Sequence, residues 1–207
     1  EAVGAAIREV MDGETPEIFE SIDAPVSTAT ERLITTGGHY AFLKIAEGCD
    51  KRCTYCIIPY LRGKYRSVPM EQLVREAEEL AEKGVKELIL VAQETTLYGK
   101  DLYGEKKLPE LLRRLAAVAG IPWIRLQYCY PEEITDELIR TIKEEEKVVN
   151  YIDMPIQHCS DGILKRMGRR TSKHDIETII AKLRKEIPDM AIRTTLITGF
   201  PGETEEQ

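Results

Sequence analysis

Residues 47–56 read EGCDKRCTYC, and this run restricts the architecture and the chemistry of the chain more than any other. Its cysteines, Cys49, Cys53 and Cys56, have the spacing C-x3-C-x2-C. Three thiolates on one short loop can bind a metal ion or an iron–sulfur cluster, but a four-iron cluster needs four ligands, so one iron stays open. Because an exogenous molecule must be able to bind there, an open iron is typical of a catalytic centre.

A zinc site, a disulfide framework and a simple electron-carrier cluster are the alternatives for these cysteines. A zinc site needs a fourth nitrogen or sulfur ligand and usually combines two C-x2-C units, whereas this sequence has one. A disulfide framework does not fit an odd number of cysteines in a chain of ordinary globular composition. A simple iron–sulfur electron carrier usually supplies four cysteines and few polar motifs. The remaining cysteines, Cys129 and Cys159, lie in apolar strand-like runs and are predicted to be small buried hydrophobic residues.

Composition predicts a globular, cytoplasmic protein without a membrane partner. Hydrophobic residues make up 43% of the chain and charged residues 31%, and no apolar run is long enough to cross a bilayer. Free thiols indicate a reducing compartment. The net charge of −7 argues against a broad nucleic-acid interface and fits a basic protein partner.

Short apolar runs alternate with amphipathic runs, which is the pattern of a parallel sheet with crossover helices. Gly84 is predicted to end the helix at 70–83, and Thr135 is predicted to cap the helix at 135–143. The predicted strands are 40–46, 87–92, 123–129, 148–156 and 191–198. The predicted helices are 70–83, 109–118, 135–143, a short one from Ser160 or Asp161, and 174–186.

Such βα units predict an α/β fold, an incomplete parallel (β/α) barrel related to the TIM barrel, with its site at the carboxyl ends of the strands. The polar motifs lie at these ends. The cysteine loop follows the first strand, and the motifs 93–95, 128–131, 157–158 and 199–203 follow the other four.

The chain is predicted to contain parts of two domains. Residues 1–38 are interpreted as the end of a preceding domain, with a helix at 2–11, plus a linker. Residues 39–207 are interpreted as the catalytic core, truncated on its C-terminal side. Thr204 and Gln207 have the spacing of a capping box, which predicts the start of a further helix.

The cysteine loop after the first strand resembles that of the radical S-adenosylmethionine (SAM) enzymes, in which SAM chelates the open iron. Further motifs resemble the methylthiotransferase branch over nearly all of 39–207: IIPY at 57–60, DMPIQ at 153–157, MGR at 167–169 and GFPGET at 199–204. Within this branch, AQETT at 92–96 and YCYP at 128–131 are similar to the enzymes that modify an aspartate of a small-subunit ribosomal protein. The transfer RNA adenosine enzymes, which typically carry Gln-Asn and Ser-His-Pro at these places, stay the alternative.

The resemblance implies a reaction and its cofactors. A 4Fe–4S cluster reduced by a donor such as flavodoxin or ferredoxin passes one electron to SAM, and the resulting 5′-deoxyadenosyl radical removes hydrogen from an unactivated carbon. Sulfur from a second 4Fe–4S cluster, held by a preceding domain, then adds there, and C–H becomes C–SCH3. The chain alone is predicted to hold one cluster and to be incomplete for full turnover.

The resemblance also implies cofactor-binding residues around the cluster. The backbone near Tyr55 is expected to meet adenine, or the Tyr55 ring to cover the cluster, and Gly199 and Gly202 allow a close approach to adenine. A carboxylate or amide after the second strand suits the methionine ammonium group, although a strand-end turn also accepts these residues. His158 is expected either to contact the cofactor or substrate or to have a purely structural role. The full predicted set is Tyr55, Gln93, Glu94, Gln157, His158, Arg193, Gly199 and Gly202.

Overall fold

The computed structural model describes residues 3–19, 21–23 and 32–207. Within these ranges the strands are β1 Tyr40–Lys44, β2 Ala46–Glu47, β3 Arg66–Ser67, β4 Glu87–Val91, β5 Trp123–Leu126, β6 Val148–Asp153 and β7 Ala191–Arg193. The helices are α1 Val3–Met11, α2 Ile58–Arg62, α3 Met70–Glu82, α4 Lys100–Tyr103, α5 Leu108–Ala116, α6 Asp136–Glu144, α7 Asp161–Arg166 and α8 Lys173–Glu186, and a 3-10 turn spans Pro131–Glu133.

The five predicted strands form one parallel sheet in the order β1-β4-β5-β6-β7. Helices connect the strands, so the predicted α/β class and the βα alternation are confirmed. In the described part of the chain β1 and β7 have one strand neighbour each, and the sheet is open, as in an incomplete barrel. The carboxyl ends of all five strands lie at one edge, where the polar motifs begin.

The predicted strands were too long at their carboxyl ends. The third ends at Leu126, because Tyr128 has a φ of 58° and donates its N–H to the Asp153 carboxylate (3.0 Å) instead of a ladder carbonyl. The first ends at Lys44, and Ala46 pairs with Ser67 in a separate antiparallel ribbon of β2 and β3. The second, fourth and fifth end at Val91, Asp153 and Arg193.

One face of the sheet holds the hydrophobic core. Alternate residues such as Leu43, Leu90 and Leu126 are fully buried, and α3 and α5 contribute Leu73, Leu111 and others to the same core. Each such leucine contributes about 1.5–3 kcal/mol relative to an exposed position. The opposite face is more open, since Phe42 is 41% and Trp123 56% exposed.

The helix ends follow local rules. Gly84, with a φ of 90°, follows the end of α3, and Thr135 Oγ1 accepts a hydrogen bond from the N–H of Leu138 (3.2 Å) at the start of α6. Both predictions are confirmed. Thr204 and Gln207 exchange the reciprocal hydrogen bonds of a capping box (3.2 and 3.4 Å), while 201–207 is in turn and irregular conformation.

The predicted first domain is only partly described. The helix predicted at 2–11 is present as Val3–Met11. Residues 1, 2, 20 and 24–31, and with them much of the predicted linker, lie outside the described residues. The boundary after residue 38 stays a prediction. Across the described ranges, no helix combines the length and apolar character needed to span a membrane.

Candidate functional site

The cysteine loop leaves β2 through a turn that only glycine can make. Gly48 has a φ of 78°, and a Cβ atom there would lie 2.1 Å from the carbonyl oxygen of Lys64. The N–H of Cys49 then donates to Gly63 O (3.2 Å). The β2–β3 ribbon and this close backbone contact therefore fix the position of the first cysteine.

The turn after α7 supports the other side of the loop. The N–H of Thr54 donates to Met167 O (3.0 Å), and its hydroxyl donates to Arg166 O (2.9 Å). A Cβ atom at Gly168 would lie 3.1 Å from Arg52 O, so this glycine also allows a close approach. The MGR motif at 167–169 is thus explained as a support for the cysteine loop.

The three cysteines of the loop surround open space at the carboxyl ends of β1, β4 and β5. Cys49 and Cys53 are buried and Cys56 is half-buried, and all are free thiols. Cys49 and Cys56 line one cavity of about 390 Å³, and Cys53 and Cys56 line a neighbouring one of about 370 Å³. The first cavity is also lined by Lys44, Ile58, Val91, Ala92, Gln93, Tyr128 and Tyr130.

The thiols have the chemistry of a cluster site. Burial, together with the nearby Glu94, Cys53 and Cys56, raises the pKa of Cys49 to about 11. Thiolates at such a site need a bound cation to stay ionised. In the described ranges, no three His, Cys, Asp or Glu residues are grouped so that they could hold a metal ion. A four-iron cluster differs from a single ion, because each cysteine binds a different iron. Ligation by these three cysteines fits that donor set and stays a prediction.

The other two cysteines are placed differently. Cys129 is fully buried, with its sulfur 3.4 Å from Thr95 Oγ1, as predicted for a small core residue. Cys159 is exposed, so its predicted burial is wrong. It lies in the turn after β6 and not in a strand, because the ladder of β6 already ends at Asp153.

Gln93 and Glu94 lie next to each other in the turn that follows β4, but their side chains have different surroundings. Gln93 lines the first cavity, and its buried Oε1 has no hydrogen-bond partner in the described structure. Glu94 is 0% exposed and accepts the N–H of Thr96 (2.9 Å), as a strand-end turn residue does. Burial raises the pKa of Glu94 to about 7. Glu94 Oε2 also has no hydrogen-bond partner in the described structure, but of the two residues only Gln93 lines the cavity. The contact of either residue with a cofactor stays a prediction.

His158 is bonded on both ring nitrogens. Its Nδ1 accepts the N–H of Ser160 (2.9 Å), which leaves the proton on Nε2, and Nε2 donates to Glu203 Oε1 (2.9 Å). Glu203 Oε2 in turn accepts the N–H of Phe200 (2.8 Å). This arrangement, with His158 only 5% exposed, ties the turn after β6 to the 199–203 loop and matches the structural alternative.

Arg193 and Gln157 lie at the far side of the site. Arg193 donates to Asp153 Oδ1 (2.8 Å), and the other oxygen of that buried carboxylate accepts the N–H of Tyr128. Gln157, with a φ of 70°, forms an isolated parallel bridge with Leu196. Among the described residues, Arg193 is therefore connected to the cavity only through Asp153 and the Tyr128 backbone, and its predicted contact with a cofactor stays a prediction.

Gly199 and Gly202 both have positive φ, 73° and 77°, as a tight loop requires. A Cβ atom at Gly199 would meet no described atom within 4 Å, whereas one at Gly202 would lie 2.5 Å from Arg166 Nη1. The described residues around the first cavity do not include these glycines. Their predicted contact with adenine stays a prediction.

Aromatic residues complete the surroundings of Cys53. Tyr55 is 37% exposed, and burial together with the adjacent Cys53 raises its pKa. The hydroxyl of Tyr130 lies 3.7 Å from Cys53 Sγ, and its ring lies under the Arg169 guanidinium. Sequence reasoning placed Tyr128, Tyr130 and Arg169 in motifs but assigned none of them to the site. The position of the two tyrosines after the third strand was the available signal.

Comparison with known proteins assigns this site to a family. The model of the Radical SAM superfamily matches residues 43–207. Ribosomal protein uS12 methylthiotransferase RimO of Lachnoclostridium phytofermentans is 66% identical over 206 residues, which are 100% of this chain and 47% of that protein. RimO of Acetivibrio thermocellus is 62% identical over 176 residues, 85% of this chain and 39% of that protein. The chain therefore spans less than half the length of these relatives.

A solved structure supports the fold. The radical S-adenosylmethionine methyltransferase TsrM from Kitasatospora setae superposes with a TM-score of 0.63 at 22% identity, over 82% of this chain and 32% of that one. At this identity the likeness concerns the fold alone. The family match covers the cysteine loop and all the strand-end motifs. The chain belongs to the radical SAM superfamily.

Proposed function

We propose that this chain is the SAM-cleaving core of a methylthiotransferase that converts C–H to C–SCH3 on an aspartate of ribosomal protein uS12. The observation that carries the proposal is the 66% identity, over the whole chain, to a protein named for this activity. The geometry agrees with it, because three free thiols and the unpaired amide oxygen of Gln93 line two neighbouring cavities at the strand ends.

The superfamily implies a 4Fe–4S cluster and SAM, and this chain offers groups for both. Cys49, Cys53 and Cys56 would hold the cluster, and SAM would enter the first cavity with Gln93 as a polar contact. When bound, the cluster supplies the electron that cleaves SAM into methionine and a 5′-deoxyadenosyl radical. Tyr128 and Tyr130 form an aromatic wall of this cavity.

The complete reaction requires partners beyond these residues. A second 4Fe–4S cluster in another domain would supply the sulfur, and a flavodoxin or ferredoxin would supply the electron. The chain's net charge of −7 favours a basic ribosomal protein over transfer RNA as the target, since like charges repel. A cytoplasmic location follows from such a substrate.

Two experiments test the proposal at different levels. The chain is reconstituted anaerobically with iron and sulfide, reduced and mixed with SAM, and 5′-deoxyadenosine is measured by chromatography. Iron near four per chain and release of 5′-deoxyadenosine are expected, and a chain that binds iron but never cleaves SAM would fit an electron carrier instead.

The substrate is tested in cells. Mass spectrometry compares uS12 and transfer RNA from a strain that lacks the gene with those of the parent. Loss of the methylthio group from uS12, with the transfer RNA unchanged, is expected. The opposite result would assign the protein to the transfer RNA adenosine enzymes.

A further inference from the structure

Arg169 is a buried guanidinium that the turn after α7 places beside the cysteine loop. Only 8% of the Arg169 surface is exposed. Nη2 donates to Pro155 O (3.1 Å), but Nε and Nη1 have no hydrogen-bond partner in the described ranges. Buried donors without partners destabilise a fold. A further acceptor is therefore expected at this site.

Tyr130 connects Arg169 to Cys53. The Arg169 Cζ atom lies 4.2 Å from the centre of the Tyr130 ring, and the Tyr130 hydroxyl lies 3.7 Å from Cys53 Sγ. The three residues line one small cavity of about 260 Å³. The unpaired guanidinium and the sulfur therefore share one buried space.

The charge of Arg169 lacks the direct ion pairs that balance the charge of the neighbouring Lys51. Lys51 Nζ also lies over the Tyr130 ring, 4.9 Å from its centre, and is paired with Glu132 (3.1 Å) and Glu133 (2.6 Å). The second oxygen of Glu132 accepts the hydroxyl of Thr171 (2.6 Å). Among the described residues Arg169 forms no direct ion pair, and Glu132, the acidic neighbour that acts on its charge, is already engaged by Lys51 and Thr171. The field of Arg169 therefore acts on the sulfur with only partial compensation.

A sulfur bound to iron carries no proton, so the Tyr130 hydroxyl must be the donor in its contact with Cys53. Hydrogen bonds and positive charge near a ligand sulfur stabilise the reduced form of a cluster, because that form carries one more negative charge. We propose that Arg169, together with Tyr130, is a positioning residue that raises the reduction potential of the cluster bound at this loop. The inference rests on the proposed function, since it requires the cluster at Cys49, Cys53 and Cys56.

The test is a redox titration of the reconstituted chain, with the reduced cluster followed by electron paramagnetic resonance. Arg169→Gln should lower the ratio of reduced to oxidised cluster at a fixed potential about tenfold, a shift of about 59 mV for one electron. Tyr130→Phe, which removes only the hydroxyl, should lower the same ratio about threefold. Arg169→Lys keeps the charge and should recover part of the loss.

Arg184→Gln is the matched control, because it removes the same charge from an exposed residue of α8 that lines none of the cavities around the cysteines. Its potential should equal that of the unchanged protein. Full iron content with an unchanged potential in Arg169→Gln, or an equal shift in Arg184→Gln, would overturn the inference. If Arg169→Gln does not assemble a cluster, the test rests on Tyr130→Phe. Full iron content and an unchanged reduction potential in that variant would reject the inference. A parent chain without iron would instead reject the proposed function before any titration.

Discussion

Gly48 determines how the cysteine loop leaves β2, because its missing side chain allows a backbone contact that no other residue permits. We predict that Gly48→Ala lowers the free energy of unfolding by at least about 2 kcal/mol, since φ is 78° and the added Cβ meets Lys64 O at 2.1 Å. The bound iron should fall as well. Urea unfolding of the cluster-free chain and iron analysis measure the two effects.

Gly84→Ala is the control for backbone strain alone. Gly84 has a similar φ of 90°, but a Cβ atom there meets no described atom within 4 Å. Its variant should lose about 1–2 kcal/mol and keep its iron. Equal losses of stability and iron in both variants would contradict the role assigned to the Gly48 contact.

Glu94 is predicted to make stability depend on pH. Burial raises its pKa from 4.5 to about 7, so the folded chain binds more protons than the unfolded chain between these values. The free energy of unfolding should therefore fall by up to about 3 kcal/mol as pH rises through this window. Glu94→Gln should remove that part of the pH dependence, as shown by urea unfolding of the cluster-free chain at pH 4.5, 6 and 8.

Glu78→Gln serves as the control for Glu94, because Glu78 is exposed on α3. Its unfolding curves should follow those of the parent at every pH. A pH dependence that survives in Glu94→Gln would show that another group is responsible.

At the scale of the elements, the long segments were predictable and the ends were not. Periodic apolar positions located α3, α6 and the five strands of the sheet, since burial of one face leaves a repeat in the sequence. The end of the third strand depends on the carboxylate of Asp153, which is distant in sequence from Tyr128. The two-residue strands β2 and β3 and the short helices α2 and α4 are too brief to carry a period.

The start of α8 shows a local signal that the periodicity did not reveal. Ser172 accepts the N–H of Asp175 (3.2 Å), and the Asp175 carboxylate accepts the N–H of Ser172 (2.8 Å). The predicted start at 174 missed this reciprocal cap. We predict that Ser172→Ala lowers the free energy of unfolding by about 1 kcal/mol.

Ser160 offers a matched control, because it occupies the N-cap of α7 without a side-chain cap bond in the described structure. Ser160→Ala keeps the backbone N–H that donates to His158 and should change stability by less than about 0.5 kcal/mol. Thermal or urea unfolding compares the two variants. Equal losses would mean that the serine cap at α8 is not what stabilises it.

For the whole molecule, the sequence located the site but not its arrangement. The three cysteines were selected by their spacing and Gln93 by its position after the second strand, and the ends of parallel strands meet at one edge. Their roles as ligands stay predictions. His158 was grouped with them for the same reason, yet its ring is engaged by Ser160 and Glu203. Arg169 was part of a motif but was not assigned to the site, since its approach to Tyr130 depends on the turn after α7.

The core and the site are separate parts of the molecule, and this separation leads to the last prediction. The core packs under α3, α5 and α6 on one face of the sheet, whereas the cysteine loop lies beyond the strand ends. Replacing Cys49, Cys53 or Cys56 singly with serine should therefore abolish the stable four-iron cluster and change the free energy of unfolding of the cluster-free chain by less than about 2 kcal/mol. Cys159→Ser, at an exposed cysteine outside the loop, should keep its iron. Iron and sulfide analysis beside urea unfolding measures both properties, and full iron in any of the three loop variants would remove that cysteine from the ligand set.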